Sequence, residues 1–599
     1  MNIKNYIFIL LFISLQSFAQ TWLTQATGFT TPSRGITNVS IVNPNVVWAS
    51  AYDGSGANAI VQEFTRTLNG GTTWTPGVYN APGITGYSTA QLFALNKDTA
   101  WVIMYNGTSG GGKVIRTNDG GANWFVQPTA TFAAPAGFGN VIHFFNANEG
   151  FCMGDPNGGY YEIYTTTNGG TNWVRVPSAN IPAPLSSSEY GLTNSYTAVG
   201  NKIWFGTTQG RIYKSNNKGL NWTVATTPFS SSVYVNAIAF KDSLNGLAIG
   251  VTGTTNAGII KTTDGGLTWT MLTTGPTGGL DAKSTISYVP GTTGTYVIGS
   301  IYNTLPGSAY TCDDGANWAY IDNVQHAHTS FINSNTGFSG SFNVDAFTGG
   351  MFKWDGAVAP TILTKDTTVC SGNPVNLQAS GTGTINWYTV GSGGAPVGTG
   401  TSFTITPTTT TTYFAEATSG GKTSFRNYVK VTVNPSPNAN ISGPISVIEN
   451  LTYSYSVPST AGATYNWSVT GGTITSGAGT NSIMVQWGSP GTGIVNVTVT
   501  LGTCPKSSNM NVTINMATGI NNNGIFETKI YPNPVQDKVY IQINQTAQAI
   551  LYDLYGRQLF SKWLNIGNNE LDMSGMPKGT YMLLLQNGDK QKHISLIVQ

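Results

Sequence analysis

"TTDGGLTW", residues 262–269, is a short polar stretch that ends on a tryptophan. The chain writes the same pattern five more times: "TLNGGTTW" (67–74), "TNDGGANW" (117–124), "TTNGGTNW" (166–173), "SNNKGLNW" (215–222) and "TCDDGANW" (311–318). The closing tryptophans Trp74, Trp124, Trp173, Trp222, Trp269 and Trp318 are spaced by 50, 49, 49, 47 and 49 residues. A period that steady is the signature of a repeat architecture.

Each unit also carries a second pattern ahead of the octapeptide, as in "VIHFFNANEGFCMGD" (141–155) and "AIAFKDSLNGLAIG" (237–250). Apolar alternation, a polar turn with glycine and a second apolar run describe a β-hairpin. "GIIKTTDGGLTWTML" (258–272) is then a second hairpin whose turn is the octapeptide itself. Four antiparallel strands per unit are the content of one propeller blade. Within the octapeptide, the third-position Asn69, Asp119, Asn168, Asn217, Asp264 or Asp313 is expected to accept hydrogen bonds from the turn amides. The fifth-position glycine can take positive φ. The tryptophan is expected to bury its ring between sheets, where truncation would cost roughly 3–5 kcal/mol.

Six octapeptides accompany seven hairpin starts, at 43–50, 97–104, 147–154, 201–208, 245–252, 294–300 and 335–342. The last unit reaches "GGMFKWDG" (349–356) and then lacks its octapeptide and fourth strand. "TWLTQATGF" (21–29) reads like "NWFVQPTATF" (123–132), so the beginning of the mature chain is expected to supply the missing strand and close the ring. Closure removes an open sheet edge.

At 599 residues the chain exceeds a single hydrophobic core. Charged residues make up only 9 % and the net charge is +2, without a basic patch, which argues against nucleic acid as a partner. Lys4, the apolar run Tyr6–Leu15 and the small residues Ser17 and Ala19 describe a secretory signal peptide over 1–19. That run is too short to span a bilayer, and no later segment reaches about 20 apolar residues. Cys152, Cys312, Cys370 and Cys504 fall in different repeats or domains, so unpaired thiols are expected. Without a CxxC or Cys/His cluster, no metal site is expected. The paired glycines sit in hairpin turns rather than before a helix, and "GTSGGGK" (107–113) joins two strands, so no nucleotide cofactor is expected either.

The octapeptide resembles the Asp-box of sialidases, sortilin-like and related propellers, in which it is a structural staple and not a catalytic element. "CMGDPNGG" (152–159) with the stretch 181–222 resembles a group of propellers akin to photosystem II assembly factors. That group carries a carboxylate pair at places matching Asp155 and Glu189, with no established activity. "TTVCSGNPVNLQAS" through "FRNYVKVTVNP" (367–435) resembles Ig-like modules of secreted bacterial proteins, with Trp387 mid-domain and Tyr413 late. The segment 452–500, with Trp467 and Trp487, resembles the PKD-like β-sandwich, and both modules read as spacers. "IYPNPVQDKVYIQI" (530–543), "LYDLYGRQLF" (551–560) and "LDMSGMPKGTYMLLL" (571–585) resemble, in order and spacing, the type A C-terminal sorting domain of type IX secretion in Bacteroidetes. That resemblance implies recognition by the outer-membrane machinery and delivery to the cell surface or medium.

The expected architecture is therefore all-β: a seven-bladed propeller (20–358), an Ig-like domain (361–435), a PKD-like domain (437–515), a linker (516–527) and a β-sandwich sorting domain (528–599). A monomer without a membrane span is expected.

A propeller binds on the face opposite its third hairpin turns, which here is the face opposite the octapeptides. Strand order places Asp53, Asp155, Glu189, Asp281, His326, His328 and Asp345 on that open face. We expect the funnel at Asp155, Glu189, His326 and His328, with Asp53, Asp281 and Asp345 on its rim. Two function classes follow. One is a non-catalytic module that binds a glycan or protein. The other is a polysaccharide hydrolase or lyase that uses Asp155 and Glu189 as acid and base. A sialidase needs three arginines around the substrate carboxylate, but Arg66 and Arg116 adjoin octapeptides on the wrong face.

Overall fold

The computed structural model of the protein describes residues 21–253, 255–276, 284–302, 305–517, 527–588 and 590–599. The signal segment, Asp281 and most of the linker lie outside these residues. The chain forms two compact units, one up to Ser436 and one from Pro437 onward.

Among the described residues the propeller region holds five four-stranded antiparallel sheets and one eight-stranded sheet, in which two four-strand sets, the first and the last, are joined where Gly35 pairs with Phe342. Blade one is Arg34–Ile41, Val47–Asp53, Glu63–Thr67 and Thr75–Val78; blade two runs from Ser88–Ala94 to Phe125–Val126 in the same order. The innermost strands of the other blades are Gly139–Phe144, Gly191–Val199, Tyr234–Phe240, Thr285–Tyr288 and His328–Asn333. Each innermost strand lies against the next, and the last lies against the first, so the ring closes. In blade seven the outer place is filled by Trp22–Ala26, which pairs antiparallel with Thr348–Trp354 from Trp22↔Trp354 to Ala26↔Gly350. The Trp22 ring is buried there beside Phe331 and Trp354, and its Nε1 donates to Ser308 Oγ at 3.1 Å.

The six octapeptide turns share one hydrogen-bond logic. The first-position hydroxyl accepts the N–H of the fifth-position glycine, as in Gly266 N to Thr262 Oγ1 at 2.9 Å and Gly121 N to Thr117 Oγ1 at 2.9 Å. The third-position oxygen accepts the N–H four residues on, as in Thr268 N to Asp264 Oδ1 at 3.0 Å. Glycine is required at the fifth position because φ lies between 85° and 89° in all six copies. The ring of Trp124 then packs between blades one and two, against Trp48, Phe64 and Tyr79. A basic residue just before the turn adds a tie between neighbouring blades. Arg116 lies over the Trp101 ring and donates to Gly169 O at 3.0 Å, and in blade seven, which has no octapeptide, Lys353 makes a like tie to Gly70 O at 2.8 Å.

The Ig-like sandwich packs around Trp387, with Leu377, Tyr413 and Val431. It is not a detached spacer, which corrects the expectation. Its Phe425 is fully buried in a cluster with Trp22, Phe331 and Trp354 of the propeller. The Phe425 and Trp354 rings stack 4.7 Å apart at 2°. Asn427 accepts the N–H of Thr293 at 2.7 Å, and Tyr428 donates to Asp314 Oδ2 at 2.7 Å. Blade seven lacks its own octapeptide, and the Ig-like module seals the gap that leaves.

In the second unit, one sandwich packs around Tyr455, Trp467 and Trp487, and another around Val539, Leu551, Leu571 and Leu583. Cys152 and Cys312 are free and buried, as expected. The expectation fails for Cys370 and Cys504, each of which is disulfide-bonded. Among the described residues no helix is long and apolar enough to cross a membrane.

Candidate functional site

Strands alternate direction within a blade, so the ends of second strands and the starts of first strands share the face opposite the octapeptide turns. Asp53, Asp155 and Asp345 end second strands, while Glu189 and His326 precede first strands and His328 begins one. The residues are thus on the expected face, but they do not form one funnel.

Most of them are committed to their own surroundings. Asp53 accepts from Ser55 N, the Ser55 hydroxyl and Ala59 N, and these hydrogen bonds, the Ser55 hydroxyl foremost, hold its carboxyl below the usual range. Asp345 is exposed and accepts the N–H of Phe347 at 2.8 Å. Glu189 is fully buried and paired with Arg211, whose Nε donates at 3.0 Å and whose Nη2 donates to the other oxygen. The Thr207 hydroxyl adds a hydrogen bond of 2.7 Å to Glu189. Asp155 accepts from Asn140 Nδ2 at 2.7 Å and from Gly191 N at 3.0 Å. Its pKa is pushed up to about 7 by burial, with no neighbouring carboxylate contributing. His326 is fully buried between Ser339 Oγ at 2.7 Å and Asp322 at 3.0 Å. In that Ser–His–Asp arrangement the Asp322 side chain is partly exposed, but the Ser339 hydroxyl and the His326 ring are fully buried and out of reach of a substrate.

What the ring does enclose is a central cavity of about 650 Å³, lined chiefly by the innermost strands. Of the six expected site residues that are described, only His328 lines it, and Asp281 lies outside the described residues. No Asp, Glu, Lys or Arg does so among the described residues. The lining instead offers the amides of Asn38, Gln91, Asn194 and Asn236, the aromatic rings of Tyr52, Phe93, Tyr196 and Tyr288, and His143. Burial lowers the pKa of both His143 and His328 to about 4, so each imidazole is neutral at physiological pH. The Val39 N–H donates to His328 Nδ1 at 3.4 Å, which leaves the ring proton on Nε2.

Asn194 crosses the cavity. It lies where the pairing of blade four's first two strands breaks register, between Gly191 and Tyr196, and it has φ 62°. Asparagine tolerates that left-handed conformation better than most residues. Its Nδ2 donates to Thr37 O at 2.8 Å, and its Oδ1 accepts from Asn38 Nδ2 at 3.2 Å, so blade four is tied to blade one across the ring. The reading from carboxylates missed these residues. One signal was present: an asparagine recurs early in four innermost strands, at Asn38, Asn140, Asn194 and Asn236.

The fold and cavity define a modular all-β protein built on a propeller, and comparison with known proteins agrees. Residues 92–233 match the model of the photosynthesis system II assembly factor YCF48. Residues 358–435 match the CHU_C-associated Ig-like domain, 434–514 a PKD-like domain, and 529–599 the secretion system C-terminal sorting domain. The chain is a type IX secretion substrate, delivered to the cell surface or extracellular space. Among solved structures it is similar to YCF48 bound to a D1 peptide, at 15% identity and TM-score 0.41, covering 56% of this chain and 96% of that one. It is also similar to YCF48 from Cyanidioschyzon merolae, at 15% identity and TM-score 0.28, covering 56% and 98%. An ancestral GH74 enzyme is matched at 13% identity and TM-score 0.38, covering 97% and 85%. No curated protein matches the chain.

Proposed function

We propose that the chain is a non-catalytic binding protein of the cell surface or medium, whose propeller recognises a glycan or protein. A signal peptide over 1–19 would take it across the inner membrane, and residues 528–599 would engage the type IX machinery. The observation that carries the binding reading is the fate of the carboxylate pair. Glu189 is held in a buried ion pair with Arg211, and Asp155 accepts two hydrogen bonds below the surface. A general acid or base must reach the proton it transfers, and neither carboxylate lines the central cavity. The propeller with its docked Ig-like module acts as a monomer in this reading.

The test is a paired assay on the secreted chain: binding to arrayed glycans and proteins, and release of reducing sugar from polysaccharides. Binding without turnover is the expected result. Sugar release that is lost in Asp155→Asn or Glu189→Gln would replace this reading with the hydrolase or lyase.

A further inference from the structure

We propose that the central cavity binds the terminal unit of a neutral saccharide, held by Asn38 and Asn194. The inference rests on the binding reading above and narrows its ligand.

The first support is charge. A ligand carboxylate or ammonium would lose its hydration and find no ionic partner among the lining residues, and burying an unpaired charge is strongly unfavourable. The two lining imidazoles supply no compensating positive charge, because both are neutral well below pH 7. An uncharged ligand avoids that cost.

The second support is an unmet acceptor. Asn38 is only 4% exposed, and its Oδ1 has no hydrogen-bond partner among the described residues. Its amide cannot be turned round without breaking a contact, because Nδ2 donates to Asn194 Oδ1. A buried acceptor left unmade is costly, and a hydroxyl of a bound sugar would supply the donor. The surrounding amides provide further donors and acceptors, and Tyr52, Phe93, Tyr196 and Tyr288 add aromatic surface to the lining for the C–H side of a sugar ring.

The third support is shape. The Asn194 tie to Thr37 and Asn38 spans the channel, so an extended chain cannot thread it. A compact end unit fits that limit better than a peptide strand, which would need a continuous edge to pair with.

The experiment uses the secreted full-length chain with neutral gluco-, manno-, galacto- and xylo-oligosaccharides and with uronate oligosaccharides, read by calorimetry. Asn38→Ala removes the acceptor, and Asn194→Gly removes the cross-tie while keeping the left-handed backbone. At least one neutral oligosaccharide should bind, with uronates about ten-fold weaker or worse. Each substitution should weaken binding about five-fold or more, the effect of one neutral hydrogen bond. Amide exchange on the unsubstituted chain gives a second readout that needs no variant: the ligand must slow exchange in Arg34–Ile41 and Gly191–Val199. Equal affinity in both variants with no protection of these strands would move the site elsewhere and overturn the inference, leaving the binding reading intact. Preference for uronates, or binding of a protein but no saccharide, would overturn it in the same way. Turnover of a saccharide would overturn the binding reading itself.

Discussion

Phe425 belongs to the Ig-like module by sequence, yet its side chain is fully buried against Phe331, Tyr310 and Trp354 of the propeller. Phe425→Ala should therefore destabilise the propeller. Truncating a buried phenylalanine costs about 3–5 kcal/mol, and the cost rises when the site cannot collapse. Here the walls are large rings held in their own packing, with Trp22 in turn hydrogen-bonded to Ser308. The upper half of that range, about 4 kcal/mol, is expected. Because the chain has several domains, one unfolding midpoint is not well defined, and amide exchange resolved by segment is the suitable measurement. Protection should fall in Trp22–Ala26 and Thr348–Trp354, while the strands around Trp387 should stay protected. The same packing sets the outcome of limited proteolysis: a fragment ending near residue 436 should be stable, whereas one ending near 358 would expose Trp354 and Phe331 and aggregate. A stable, monomeric fragment ending at 358, or exchange in Phe425→Ala that changes only within 361–435, would refute the seal.

Burial raises the folded pKa of Asp155 from 3.8 to about 7, so the folded state binds the proton more tightly than the unfolded chain does. Stability from this group is full below pH 3.8 and is lost as pH rises through 7, by at most about 4 kcal/mol. Urea denaturation at pH 5 and pH 8, followed by amide exchange in the strand Gly150–Pro156, should show a smaller difference in Asp155→Asn than in the parent; an unchanged difference would refute the assignment. Glu189→Ala strands Arg211 in a largely buried place and should cost about 3–5 kcal/mol, with Glu189→Ala/Arg211→Met recovering part of it; a change under about 1 kcal/mol would mean the pair is solvated. Deleting residues 528–599 should leave the protein in the periplasm, as read by surface protease accessibility, and surface delivery of the truncated chain would contradict the role of the sorting domain.

The propeller was legible because its decisive interactions are local. A hydroxyl at the first position, Asp or Asn at the third and glycine at the fifth close one turn within eight residues, so the pattern names its own hydrogen bonds. Ring closure was legible for a related reason, since one end of the repeat lacks a strand and the other end has a spare one. The disposition of Asp155 and Glu189 on the open face followed from strand alternation alone. Their roles did not, because the partners that decide them are distant: Arg211 is 22 residues from Glu189, and Gly191 is 36 from Asp155. Phe425 and Asn194 were hidden for the same reason, the latter meeting Asn38 across 156 residues.

Composition bears on where a site should be sought in such a chain. With charged residues at only 9%, there are few carboxylates, and the fold has specific uses for them. Asp53 caps its turn, Glu189 neutralises Arg211, and Asp314 anchors Lys241 and Tyr428 at the junction with the Ig-like module. Burying a charge without a partner is costly, so carboxylates drawn below the surface are found with hydrogen-bond donors. Neutral amides face a weaker demand and can stand at the channel with a valence unmet, as Asn38 does. In a propeller this poor in charge, the binding residues are therefore better sought among asparagines of the innermost strands than among the acids of the loops.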